Sequence, residues 1–160
     1  MSALIKTKKD KLRFKQLLKD FCMQELEEHL REATASRDRA QEAVKNEEKN
    51  TMGDKYETSR AMGHIDSDRA ALQMLEAKKQ QAALQLIDAA VLHDSVQAGS
   101  VVITDAVIYF IAVAIGSRTI ENNTVHIISP RAPIAGKLMG LATGDTVEFN
   151  GKTIAIKNVF

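Results

Sequence analysis

AMGHIDSDRAALQMLEAKKQQAALQLIDA, residues 61–89, decides the architecture. Within it Ala61, Ile65, Asp68, Leu72, Leu75, Lys79, Ala82, Leu86 and Ala89 follow one another at alternating spacings of four and three. Mostly apolar side chains at that period form one narrow stripe along an α-helix, the pattern of a coiled-coil seam. The same alternation runs through Met23, Leu26, Leu30, Ala33, Arg37, Ala40 and Val44. Two such helices, separated by one break near Gly53, predict an antiparallel hairpin. At 1.5 Å per residue, helices of about 40 residues make an arm about 60 Å long. Small and polar seam residues become commoner toward the break, so the far end is expected to be thin and weakly packed.

The rest of the chain follows a different grammar. Residues 1–95 hold 17 Lys/Arg and 17 Asp/Glu with two Gly and no Pro, whereas residues 96–160 hold nine charged residues, six Gly and both Pro. That shift predicts a boundary between a helical hairpin (1–95) and a second domain (96–160), with Gln97-Ala98-Gly99-Ser100 as the hinge. Beyond it, Ser100–Asp105, Val107–Ile115, Thr124–Ser129, Thr146–Phe149 and Lys152–Val159 are β-branched-rich runs that read as strands. Asn150-Gly151 is a two-residue hairpin signal. Pro133 to Gly140 reads as one short helix, with Pro near its first position and Gly past its end. The fold class predicted is therefore α+β, a long coiled-coil hairpin followed by a small antiparallel β domain with one short helix.

Composition narrows the function. At 160 residues, 44% hydrophobic and 27% charged, the chain is expected to fold as a soluble protein. A net charge of +1 argues against general binding of nucleic acid through bulk charge. The single Cys22 cannot form an intramolecular disulfide and fits a reducing cytoplasm. The longest apolar run, Ala106 to Ile115, is ten residues, too short to span a bilayer, and the N-terminus has no secretory h-region. A cytoplasmic chain with no membrane segment is expected.

Chemistry-bearing residues are few. Asp54 and Glu57, in Gly53-Asp54-Lys55-Tyr56-Glu57, stand three apart at the hairpin's turn, with Glu47 and Glu48 adding charge before it. The spacing suits a capping box, Asp54 at the N-cap and Glu57 at N3. That cap alone explains the spacing; a sharper reading makes the pair two hard oxygen ligands for Mg²⁺, an ion that keeps several waters and takes one or two carboxylates. His64, Asp66 and Asp68 resemble a metal cluster only faintly, because Asp66 leaves the helix face that the other two share. Lys6, Lys8, Lys9, Lys11, Arg13, Lys15 and Lys19 make a basic start that reads as a solvated helix surface. Cys22 and His29 share a helix face, but an arm offers no pocket for a thiol enzyme, and a structural Cys is expected. Tyr109, Phe110, Phe149 and Phe160 are few aromatics from which to build an apolar cradle.

A long N-terminal hairpin followed by a small β domain resembles the Gre-type transcript-cleavage factors of bacterial RNA polymerase. Gly53-Asp54-Lys55-Tyr56-Glu57 is similar to the family's tip motif, Gly-Asp-x-x-Glu, and Ala132-Pro133-Ile134-Ala135-Gly136-Lys137-Leu138-Met139-Gly140 to its C-terminal Ser-Pro-Ile signature. The resemblance implies an FKBP-like β domain docking at the mouth of the polymerase secondary channel. The coiled coil would then insert so that Asp54 and Glu57 hold a second Mg²⁺ in the polymerase active centre, promoting cleavage of backtracked RNA. It implies a monomer without a cofactor of its own, which stimulates the polymerase's nuclease activity without itself being an enzyme and meets nascent RNA only indirectly. After Glu57 this chain reads Thr58-Ser59-Arg60 where the family has Asn-x-Glu-Tyr. The alternative on the same scaffold is a non-cleaving regulator that binds or blocks that channel. A third reading, from the FKBP-like domain, is a prolyl isomerase.

Overall fold

The computed structural model describes residues 5–48 and 53–160. The protein is α+β, two long N-terminal helices followed by a sheet in which antiparallel pairs dominate. Helix α1 spans Lys8–Glu48 and α2 spans Gly53–Gln85. The strands are β1 (Val101–Thr104), β2 (Ile108–Ile111), β3 (Gly116–Ile120), β4 (Asn123–Ile128), β5 (Thr146–Phe149) and β6 (Lys152–Val159), with α3 (Pro133–Leu138) between β4 and β5. The chain forms two compact units, residues 24–81 and residues 1–23 with 82–160. The compositional break near residue 96 falls inside the second of these.

In the unit of residues 24–81, α1 and α2 run antiparallel. Gly63 lies against Val44 and Ala40, and further along Ser36, Arg39, Ala40 and Ala43 share a groove with Asp66, Arg69, Ala70 and Gln73. The α1 seam is the expected one: Leu26, Ala33 and Val44 are buried, with Leu30, Arg37 and Ala40 half-buried between them. The α2 seam is not. Gly63, Ala70 and Ala77 are buried, seven residues apart, with Ser67, Met74 and Gln81 half-buried between them. This set follows the same four-three alternation displaced by two residues, about 200° around the helix. The expected face instead looks outward, with Ile65 57%, Leu72 67% and Leu75 49% exposed. The physical reason is size. A Cβ added to Gly63 would run into the Val44 side chain, so the backbones stand too close for a leucine, and glycine, serine and alanine take the contact.

The second unit is built on a six-stranded sheet in the order β3-β4-β2-β1-β6-β5. Five pairings join it and four are antiparallel; β2 and β4 run parallel, which corrects the purely antiparallel expectation. The expected strand Val107–Ile115 ends at Ile111, after which the chain turns out, forms β3 and returns as β4 beside β2. Strand β3 was absent from the sequence reading. It is a polar edge strand, joined to β4 through Glu121 and Asn122, both at positive φ. The Asn150-Gly151 hairpin forms as expected, both residues at positive φ.

One core cluster packs Val102, Tyr109, Ile111, Ile156 and Val159 of the sheet against Ala135 and Leu138 of α3 and against Val96. Phe14, Leu18 and Cys22 of α1 and Leu84 of α2 are also fully buried in this unit. Residues 97–100, expected as a hinge, are a closed turn. Gln97 N–H donates to Ser100 Oγ at 2.9 Å, Ser100 Oγ donates back to Gln97 O at 2.6 Å, and Gly99 N–H reaches Ile111 O at 2.6 Å.

Candidate functional site

The backbone of α2 runs from Gly53, so Asp54 and Glu57 fall in its first turns, at the positive end of the helix dipole. Three residues apart on a helix, they share a face. Their side chains lie outside the described residues, as do those of Glu47 and Glu48 and the whole of residues 49–52. The capping-box and metal readings of that pair therefore stand on sequence and backbone position. A capping box is described elsewhere, at the start of α1. Thr7 Oγ1 accepts from Asp10 N–H at 3.1 Å while Asp10 Oδ2 accepts from Thr7 N–H at 2.9 Å. The Thr7 backbone N–H, and after it the Thr7 hydroxyl, donate to the Asp10 carboxylate and hold it below its ordinary value.

The arm below the tip carries mixed charge. A groove of about 630 Å³ runs between the helices, with His29, Glu32 and Arg39 on one wall and Gln73, Glu76 and Gln80 on the other. Of its lining residues, His29 stands 3.7 Å from Glu25 on the same helix, and Glu76 accepts from Gln80 Nε2 at 3.3 Å. Among the described residues no three His, Cys, Asp or Glu side chains are grouped so as to hold a metal, and His64, Asp66 and Asp68 are all exposed on α2.

The stretch Ala132 to Gly140 becomes a structural lock. Pro133 opens α3 at its first position, Ala135 and Leu138 point into the core, and Met139 N–H donates to Ala135 O at 2.9 Å. Gly140, at φ +80, donates to Val96 O at 2.9 Å, and Val96 N–H donates to Leu141 O at 2.8 Å, tying the helix end to the chain before β1. Asp145 Oδ2 accepts Ala142 N–H at 2.8 Å and its carbonyl accepts Ile156 N–H, so the turn after α3 is anchored to β6. Exposed on this element are Pro133, Gly136, Lys137 and Gly140, which leaves a short, mostly uncharged surface.

The basic start departs from the solvated surface expected of it. Lys15 is buried and its Nζ donates to Val91 O at 2.6 Å; Lys19 Nζ donates to Ile87 O one helical turn on. Arg13 forms a two-pronged pair with Glu121 in the β3–β4 turn, at 2.7 and 3.1 Å. Lys11 stands 5.4 Å from the centre of the Phe160 ring. These cations fasten α1 to the chain after α2 and to the sheet, an arrangement that no motif in the sequence announces. Burial pushes the Lys15 ammonium down to about 8. Cys22 is buried, as the structural reading of that thiol expects. Phe110 and Phe160 are spent in the interior, and Tyr109 packs edge-on to His126 at 5.5 Å.

No protein-family model matches the chain, and no curated protein matches it. Among solved structures it is similar to one described as the structure of the transcription factor Gfh1, with 14% identity, covering 84% of this chain and 92% of that chain, at a TM-score of 0.33. A likeness that distant carries no argument for function, and the function has to be read from the residues.

Proposed function

We propose that this chain is a Gre-like factor that binds bacterial RNA polymerase and promotes cleavage of backtracked RNA. The observation that carries the reading is the position of Gly53-Asp54-Lys55-Tyr56-Glu57, which starts α2 immediately beyond the end of α1. In the unit of residues 24–81 this puts two carboxylates of one helix face at the turn end of a two-helix arm. From Gln24 to Glu48, α1 rises about 37 Å, enough to carry that end into a deep channel. The second support is the Ala132 to Gly140 stretch, which forms α3 of a sheet-based unit, FKBP-like on this reading, that would dock at the channel mouth.

Two carboxylates at the start of one helix fit Mg²⁺, whose remaining positions are filled by water and by the partner. A bound Mg²⁺ supplies activated water and stabilises charge on the phosphoryl group. This chain's part is to carry Asp54 and Glu57 to the polymerase active centre, and alone it is inert. The test is a purified polymerase stalled and backtracked on a template, with the protein and Mg²⁺ added and the RNA sized. Shortened RNA is expected, and Asp54→Ala with Glu57→Ala is expected to reduce its rate by more than the roughly 10–100-fold that losing a ligand's supporting partner costs. Cleavage that survives both substitutions removes the metal role. Tight channel binding without cleavage selects the non-cleaving regulator, the reading that Thr58-Ser59-Arg60 after Glu57 favours.

A further inference from the structure

The stripe that α2 turns away from α1 has no cover among the described residues. Leu72 and Leu75 are 67% and 49% exposed, and Asp68, Arg69, Glu76 and Lys79 around them are exposed as well. Among the described residues none of these four charges forms an ion pair. We propose that this face pairs with the same face of a second copy of the chain, antiparallel, about a two-fold axis between Leu72 and Leu75.

A two-fold interface must complement itself after reversal. Set Leu72 against Leu75 of the partner subunit, and symmetry sets Leu75 against Leu72 of the partner subunit. The next layer lies four residues outward on each side, and there Asp68 meets Lys79 of the partner subunit, twice over. Arg69 and Glu76, seven apart on one flank of the stripe, become neighbours across the axis and pair in the same sense. Asp68, Arg69, Glu76 and Lys79 thus each meet an opposite charge, while Lys78 on the other flank faces Ala71 of the partner subunit and stays in solvent. The alternatives fail on the same residues. A parallel pairing sets Asp68 on Asp68 and Lys79 on Lys79, and a shift of one heptad buries each of these charges against leucine. Polar residues within an apolar seam select register and orientation in this way. The monomer that the resemblance implies would leave this seam exposed. With the seam outside, the chain carries a second, self-complementary one. The inference is independent of the polymerase reading.

The test is sedimentation equilibrium of the full chain up to millimolar concentration, where a monomer–dimer equilibrium is expected. Leu72→Gln with Leu75→Gln is expected to weaken it by at least about a hundredfold, since four leucines lose their cover. Circular dichroism and melting of the dilute chain should stay unchanged, because both side chains are exposed there. Asp68→Lys or Lys79→Asp alone is expected to weaken association about tenfold or more, and the two together to restore it. A chain that stays monomeric throughout overturns the proposal, as does a dimer indifferent to the glutamines or one that the double charge swap fails to restore. A monomer whose binding to polymerase is lost with the glutamines assigns the stripe to that partner and overturns it too.

Discussion

Lys15 carries its charge into the interior, where it donates to the Val91 carbonyl, and burial, only partly offset by the Asp88 carboxylate, lowers its pKa from an ordinary 10.5 to about 8. The sign of the consequence is fixed by linkage. Between those two values the unfolded chain binds more protons than the folded one, so stability rises with pH across that window and is penalised below it. Comparing the wild type with Lys15→Met by urea unfolding at several pH values should show the wild type gaining on the variant between pH 8 and 10.5, by on the order of 3 kcal/mol in all. A difference flat with pH would mean that the ammonium is solvated. Some of this was legible. Phe14, Leu18 and Cys22 mark an apolar face of α1, and Lys15 lies beside it by the helical period. A run of seven cations hides which one turns inward, because that depends on carbonyls more than seventy residues away.

At the scale of elements, fit outweighs hydrophobicity. The stripe Ile65, Leu72, Leu75 is the more apolar face of α2, yet the helix pairs through Gly63, Ala70 and Ala77. Sequence periodicity gave the period of α2 correctly and the face wrongly; it does not weigh a large side chain that holds backbones apart against a small one that lets them close. Gly63→Ala tests this directly. Alanine favours helix by about 1 kcal/mol over glycine, yet here the added methyl meets Val44, and overpacking of that kind costs about 1–3 kcal/mol. Net destabilisation of the arm is expected, with Val44→Ala relieving it so that the double variant is more stable than the sum of the singles. Chemical denaturation followed by helical dichroism measures both. Elsewhere the elements were read well where local chemistry decides them, as at Asn150-Gly151 and at Pro133. They were missed where pairing decides, as with the polar edge strand β3 and the parallel partnership of β2 with β4.

Across the whole molecule the two units are made of different material. Residues 24–81 bury Leu26, Ala33, Val44, Ala70 and Ala77, while the other unit buries Phe14, Leu18, Phe110, Ile111, Ile127, Leu138, Ile156 and Phe160 among many others. Few large apolar contacts mean a low free energy of local opening. Amide hydrogen exchange is expected to be faster by at least about tenfold at residues 60–75 of α2 than in β1, β2 and β6. Equal protection would show the arm and the sheet opening as one. The candidate site lies in the part that opens first on this view. There Asp54 and Glu57 were legible only as a spacing, which capping a helix and holding a metal share.

The glycine–alanine seam has a thermal consequence as well. Separating two helices that bury Leu26, Ala33, Val44, Ala70 and Ala77 between them wets less apolar surface than opening the sheet unit, and wetted apolar surface is the source of the heat-capacity rise on unfolding. The opening equilibrium of the arm should therefore drift almost linearly with temperature, while the sheet unit follows the usual domed curve. The same exchange series, repeated on cooling, would read it: protection at residues 60–75 changes steadily in one direction, while that of the leucine-rich interior passes a maximum and begins to fall.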